Sequence, residues 1–516
     1  MIHAVMLRLR MLRSFLFQKL RYESLPNPVV YVRRSKYLNI CKRLIRLAFY
    51  AIFFILATIS FGLIFVSSLQ SATWQTFRLI MYQGDTIIDA FDNTELPFTY
   101  IEAGTKLHVL VPASRSNPNL CKTTLSLQLL GYPAPTFMGW DERFLDEHQV
   151  DGGARLGTKL VHAVHSVLKA PAHDDDLVLI ADGYDTWFQL PPEVLVARYN
   201  AMNQAANERL ALKAGKRAVK SLKIGQKIVF GARRSCDSTR VHGAPCEMTP
   251  EPPAPSQWYG GDNSISNTQY NVNPPRFLDS GYIMGRMIDV RALLVRAMEI
   301  LESTPHSDVV YDGSAQPIFN RIYSDQEHQR NRWHHRVLPA ALSRKAEFGL
   351  GIDYFSELSH STFDAEKNAK YLTYTSDGGV GVADPSSGLL QPQLGDHYLS
   401  DCVLNLPTAL PTDIATSTPP FINANKTLPS DSPSWNDLPL LTNLCTGTIP
   451  VLIHHNGDKA ARESTWENIW FAPHAKEMLG KITGAAGGWT DTRKWVEWEE
   501  LCPVEWEGEL FGRSET

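Results

Sequence analysis

LVLIADGYDTWF, residues 177–188, is an apolar run of strand length that ends in two carboxylates, Asp182 and Asp185, three residues apart. A short apolar run bounded by polar turn residues predicts a buried strand of a parallel sheet. Ligands of open α/β sheets collect at the carboxyl ends of such strands. With Gly183 letting the backbone turn between them, the two acids can share one divalent cation with a diphosphate.

Working outward, strand and helix signals alternate, which indicates an α/β sheet. LHVLVPAS (107–114) reads as a first strand, and Thr123 to Leu130 as the helix after it. Gly152 and Gly153 open a turn before a helix carrying Leu160, Val161, Val164 and Leu168 at helical spacing. PPEVLVARY (191–199) places Pro at a helix start, and KIVFGA (227–232) is a further buried strand. Arg209, Lys213, Lys216, Arg217, Lys220 and Lys223 fall at helix-like spacing and read as a solvated face in preference to a phosphate site. Residues 384–448 are rich in Pro, Ser and Thr with little periodicity, the pattern of a long, loop-rich insertion.

The N-terminal region has a different chemistry. Leu47 to Leu69 is 23 residues without a charge, long enough to span a bilayer as a helix. Residues 1–46 carry eleven Lys/Arg against the single acid Glu23, so the positive-inside rule keeps this tail cytosolic and sends the bulk of the chain across the membrane. The expected organisation is a basic tail (1–46), a transmembrane helix (47–69), a stem (70–103), a catalytic body (104–480) and a C-terminal extension (481–516). With the tail at +10 and the whole chain at −4, the remainder is strongly acidic, which argues against nucleic acid as a partner. Asn425-Lys426-Thr427 is a glycosylation sequon, consistent with lumenal exposure.

Cys41 falls on the cytosolic side of the span, leaving Cys121, Cys236, Cys246, Cys402, Cys445 and Cys502 beyond it. An even number in an oxidising compartment predicts disulfides, although six cysteines allow fifteen connectivities. Cys236–Cys246 and Cys402–Cys445 are the pairs that would close loops within one region. No CxxC zinc pattern exists.

Three later segments add to the two acids. In RFLDSGYIMG (276–285) an apolar run is interrupted by Ser280, Gly281 and Gly285, and glycine in a strand permits close approach of a backbone or a ligand. SDQ (324–326) follows PIFNRIY, a helical segment, and Asp325 there can accept hydrogen bonds from sugar hydroxyls. VLIHHNGDK (451–459) is again an apolar strand ending in polar groups, His454, His455 and Asn456, before Gly457. An imidazole at a strand end beside two carboxylates makes His454 a third metal ligand, and nitrogen ligation favours Mn²⁺ over Mg²⁺.

At this point the chain resembles a known group. GGARLGTKLVHAVHSVLKAPAHDDDLVLIADGYDTWF is similar to the donor-binding part of the glycosyltransferase domain of procollagen lysyl hydroxylases and collagen galactosyltransferase-like proteins. The resemblance continues in order through KIVFGARRSC, RFLDSGYIMG, SDQ, IDYFSE and VLIHHNGDK, roughly residues 105–471. A more distant likeness to glycogenin-type transferases rests on the DxxD and His-x-x-Gly elements. The topology and the PPEVLVARY continuation also look like a group of fungal membrane-anchored transferases.

The resemblance implies a GT-A fold, a UDP-sugar donor, retention of anomeric configuration and Mn²⁺ held by Asp182, Asp185 and His454. It makes Tyr184 a contact for the nucleotide base and Lys159 a donor-site residue, with Asp279, Ser280 and Gly281 beside them. Asn456, Gly457 and Lys459 become contacts to the diphosphate, and Asp325 and Gln326 face the transferred sugar. The chain departs from the pattern at Asp279, where the lysyl hydroxylase domains usually have Asn, and at Ser324, which replaces an acid. Lys459 follows Gly457 by two positions where three are usual. No hydroxylase iron domain follows, so collagen modification is not implied.

The expectation is a type II transferase of the Golgi or endoplasmic reticulum membrane acting on a glycan or glycoprotein acceptor. Two rivals are a metal-dependent phosphohydrolase and a catalytically inactive sugar- or nucleotide-binding protein. Haloacid dehalogenase-type chemistry needs the two acids two apart, and here they are three apart.

Overall fold

The computed structural model describes residues 99–102, 105–141, 164, 168, 172–236, 249–259, 274–303, 315–334, 346–374, 380–383, 390–391, 402, 404–421, 433–482 and 486–512. All lie within one compact unit, Phe91–Thr516. The expected tail, span and most of the stem, Lys159, the sequon at Asn425 and Cys246 lie outside the described residues. Among the described residues no helix is long and apolar enough to cross a membrane.

The chain begins with β1 (Thr99–Glu102), β2 (Thr105–Pro112), helix α1 (Pro118–Leu129) and β3 (Thr136–Met138). The quoted stretch then folds as β4 (Leu177–Ala181), a turn, and β5 (Thr186–Phe188). Helices α2 (Pro192–Ala214) and α3 (Lys216–Leu222) precede β6 (Ile228–Arg233), and β7 (Phe277–Arg286) leads into α4 (Met287–Ser303) and α5 (Gln316–His334). Five strands follow: β8 (Leu350–Ile352), β9 (Ser359–Ser361), β10 (Ala369–Tyr374), β11 (Val380–Ala383) and β12 (Leu390–Gln391). The chain closes with β13 (Leu440–Asn443), β14 (Leu452–His454), α6 (Lys459–Trp466), β15 (Gly487–Thr490) and β16 (Trp495–Glu497).

The main sheet has the order β16-β15-β3-β2-β4-β7-β6-β8, with β1 also paired to β2. Strands β15, β3, β2 and β4 run parallel, as do β6 and β8, while β7 opposes both β4 and β6. This is a mixed, Rossmann-like α/β sheet covered on both faces. Strand β4 shows why its sequence is apolar without interruption. Leu177, Leu179 and Ala181 enter the core that contains α1 and α2, and Val178 and Ile180 enter the core that contains α4 and α5. Alternate residues of a strand point to opposite faces, so a strand with helices on both sides needs apolar residues at every position.

Helix α1 starts earlier than Thr123. Pro118 occupies its first turn, and the Asn117 side chain caps it by accepting from the Leu120 N–H at 2.8 Å. The basic helical segment is solvent-facing as expected, since none of Lys216–Leu222 is buried.

Two organisational expectations need correction. The 384–448 region is not only loop, because its β13 pairs with β10 in a four-stranded antiparallel sheet, β12-β11-β10-β13. Nor is the chain after residue 480 an extension. Strand β15 joins the main sheet parallel to β3, and Cys502 forms a disulfide with Cys121 on α1. A second disulfide is the expected Cys402–Cys445; Cys236 is disulfide-bonded as well.

The third sheet, β5-β14-β9, matters most for function. Strand β14 is antiparallel to β5 and parallel to β9, with His454 opposite Thr186 and Ser361. Only residues 182–185 separate β4 in the main sheet from β5 in this small one. The Cys121–Cys502 bond spans 381 residues, so by chain entropy Cys502→Ser should cost about 2–5 kcal/mol. Thermal unfolding should show a lowered Tm in Cys502→Ser and the same loss in Cys121→Ser. An unchanged Tm in both would mean that packing alone holds the two segments together.

Candidate metal centre

Strand β2 has β3 on one side and β4 on the other, which makes the carboxyl ends of β2 and β4 a topological switch point, where open α/β sheets form their crevice. Asp182 is the first residue after β4. Its N–H donates to the Gly281 carbonyl at 3.0 Å, continuing the β4–β7 ladder by one rung, and its Oδ1 accepts the Tyr184 N–H at 3.0 Å. Gly183 is required by the close approach of β2, since a Cβ there would stand 2.5 Å from the Pro112 carbonyl oxygen. Asp185 is fixed from the small sheet, its carbonyl accepting the His455 N–H at 2.6 Å.

These constraints bring Asp182, Asp185 and His454 together, with one ligand atom from each lying within 4.8 Å of the others. Octahedral coordination at about 2.1 Å puts neighbouring ligands about 3 Å apart and opposite ones about 4 Å apart, so the donor set fits a divalent cation after a small contraction. Asp185 Oδ1 is buried, and its close partner is His454 Nε2, 3.3 Å away in an ion pair. A carboxylate oxygen held by a proton-bearing nitrogen can exchange that proton for a cation.

Asp279 orients the imidazole. Its Oδ2 lies 3.0 Å from His454 Nδ1 and accepts from Asn456 Nδ2 at 2.9 Å, while Oδ1 accepts the Gly281 N–H at 3.1 Å. A carboxylate on one ring nitrogen leaves the other directed at the metal position, the usual arrangement behind a histidine ligand. Gly281 makes room for the ring, because a Cβ there would come within 2.0 Å of it. Thus Asp279 and Gly281 act through His454, and Ser280 donates to Gln316 at 2.7 Å.

The electrostatics follow from burial and crowding. Burial, then the Asp185 charge, pushes Asp182 up to about 7. Burial acts the same way on Asp185 and Asp279 but is outweighed by His454, which holds Asp185 below and Asp279 well below the usual carboxylate range. Burial disfavours charge on His454, yet Asp279 and Asp185 overcome it and raise the imidazole well above its ordinary value. Without a cation the site holds an imidazolium between two carboxylates.

Several expected contacts are redirected. Gln326 does not face a substrate: it is fully buried on α5, its Nε2 donating to the Leu350 carbonyl and its Oε1 accepting the N–H groups of Phe348 and Leu350. Asp325 is exposed on the same helix. The α5 residue at the site is Gln316, whose Oε1 accepts from Ser280 N and Oγ and whose Nε2 donates to the Leu278 carbonyl. Asp325 lies nine residues further on, about 13 Å along the axis. Asn456 is held at both ends of its amide, its Oδ1 accepting from Ser361 Oγ and the Phe363 N–H and its Nδ2 donating to Asp279. The Gly457 N–H donates to Thr362 Oγ1 at 3.1 Å. Lys459 is exposed in the first turn of α6.

Tyr184 is neither a free stacking platform nor a plain core residue. It is half-buried, and its hydroxyl accepts from the N–H groups of Ser114 and Arg115 and donates to the Arg115 carbonyl. The ring therefore braces the β2–α1 loop at the switch point.

No protein-family model matches the chain, and no curated protein matches it. Among solved structures it is similar to the 2-C-methyl-D-erythritol 4-phosphate cytidylyltransferase of Francisella tularensis, at 12% identity and a TM-score of 0.18, over 41% of this chain and 86% of that one. So slight a likeness carries no conclusion about the site.

A histidine whose folded pKa is raised contributes stability that is complete below its unfolded value and lost as pH rises through the folded one. Asp182, raised from 3.8 to about 7, acts in the same direction across that interval. Below the ordinary carboxylate range the lowered Asp185 and Asp279 act the other way, so the metal-free protein should lose stability as pH rises from about 4 through 7, read as a falling Tm. Asp279→Asn should lower the His454 pKa, read by NMR titration of the imidazole. An unshifted titration in that variant would remove Asp279 from its orienting role.

Proposed function

We propose that this chain is a metal-dependent glycosyltransferase of the GT-A type, moving a sugar from a UDP-linked donor to a glycan or glycoprotein acceptor. The observation that carries this reading is the convergence of Asp182, Asp185 and His454 at the switch point of a Rossmann-like sheet. Mixed carboxylate and imidazole ligation suits Mn²⁺, and the buried Asp185 Oδ1 beside His454 Nε2 supports the fit. The bound metal would supply Lewis acidity at the leaving diphosphate. Asp182 and Asp185 supply the negative charge that retains the cation, and Asp279 holds the His454 ring for coordination. Tyr184 sets the β2–α1 loop against which the nucleotide would lie. Lys459 remains available to the diphosphate. The two described disulfides suit an oxidising compartment, in keeping with a type II protein of the Golgi or endoplasmic reticulum.

The test is a panel of nucleotide sugars incubated with the full chain in mild detergent, with and without Mn²⁺. Metal-dependent release of UDP is expected. Release of inorganic phosphate alone would favour a phosphohydrolase, and metal-dependent nucleotide binding without turnover an inactive binding protein. Asp185→Asn should lower the rate of the folded protein about a hundredfold or more, several kcal/mol of lost charge stabilisation, and lower Tm as well, since the His454 imidazolium keeps one carboxylate fewer. Because a cation must displace protons from His454 and Asp182, Mn²⁺ affinity measured by calorimetry should tighten as pH rises through about 7.

Orientation has its own check. In intact microsomes the large domain should resist added protease, and Asn425 should carry a glycan removable by endoglycosidase. Digestion of that domain would reverse the assigned topology.

A further inference from the structure

A small, partly open pocket adjoins the metal centre, between the end of β6 and β9. One wall is shared, because Ser361 in the pocket donates to Asn456, Asn456 donates to Asp279, and Asp279 holds His454. Arg233 and Arg234 line this pocket, and among the described residues no Asp or Glu does. Each guanidinium is stacked on a ring, Arg234 at 5.7 Å from the Tyr259 centroid and Arg233 at 5.5 Å from that of Phe363. Stacking of this kind holds the planar fork in place before anything binds.

In the same wall the Tyr259 hydroxyl is buried with no hydrogen-bond partner among the described residues; the residue is 4% exposed. The Arg233 Nε–H is likewise buried without a partner among them. His360 is enclosed beside them, its Nδ1 3.4 Å from both Ser356 Oγ and Asn443 Nδ2. Burial, reinforced by Arg234, lowers it to about 4 despite a hydrogen bond to the Ala365 backbone, so the ring stays neutral at physiological pH.

A buried donor left unsatisfied is costly, and this wall combines two, the Tyr259 hydroxyl and Arg233 Nε–H, with two positive charges. A carboxylate or phosphoryl group offers the lone pairs and the charge that match it.

We propose that this pocket is a subsite for a single anionic group, a carboxylate or a phosphate, on a molecule bound beside the metal centre. The identity of that molecule rests on the transferase reading, but anion binding does not and is measured without donor or metal. The full chain in EDTA is titrated with inorganic phosphate and followed by thermal unfolding. A saturable rise in Tm is expected. Tyr259→Phe deletes a hydroxyl that has no partner, so the variant should fold at least as well as the wild type yet bind phosphate about tenfold more weakly.

A second arm compares Mn²⁺-dependent hydrolysis of a UDP-hexuronate and the corresponding UDP-hexose. A preference for the uronate that is lost in Tyr259→Phe assigns the anionic group to the donor sugar. Equal rates with the phosphate response intact assign it to the acceptor or to a free oxyanion. Failure to hydrolyse any donor would count against the transferase reading and leave the phosphate result standing. No saturable response in the wild type, or equal phosphate affinity in wild type and Tyr259→Phe, would overturn the subsite.

Discussion

The imidazole of His454, enclosed between Asp279 and Asp185, is the joint on which the site depends. It connects three pieces of chain that are remote in sequence: β7, which carries Asp279; the turn after β4, which carries Asp185; and β14, which carries the ring itself. Main sheet and small sheet meet here, and only a glycine at 281 lets the ring lie against β7. Removing one member of a buried charged set leaves the others uncompensated, typically at a cost of several kcal/mol. The same residues that would bind a cation therefore also fasten the two sheets together. A divalent cation would take over from the proton that now balances the two carboxylates.

Much of this could be read from the chain because strand ends concentrate information. An apolar run buried on both faces is unmistakable, and whatever polar group follows it must emerge at the sheet's edge. That reasoning found Asp182 and Asp185 after β4 and His454 at the end of β14. It failed where a role depends on helical phase or on a distant partner. The SDQ segment sits well inside α5, where Gln326 faces the core and ties down β8. The residue that reaches the site, Gln316, had a local signal in the Pro317 that follows it at a helix start. Asn456 and Gly457 stand beside the presumed ligands in sequence, yet their polar atoms are engaged by residues 361–363, some ninety positions earlier. No local pattern announces such a partner. Short strands hid for a related reason. GGWT in β15 has neither length nor alternation, and its neighbour β3 lies about 350 residues upstream.

The placement of β15 has a consequence for how the molecule is made. Strand β3 is flanked by β2 and by β15, about 350 residues later. During synthesis its outer edge stays open until β15 has emerged, and Cys121 waits still longer for Cys502. An unpaired strand edge is a site of mispairing between chains, and contacts this distant in sequence form slowly. The half of the sheet that contains β4 and β7 can assemble before then. The other half is completed only once β15 is available. A truncation that removes the final thirty residues would thus spare every metal ligand and still leave an adhesive edge, so its damage would appear as aggregation before it appeared as lost chemistry.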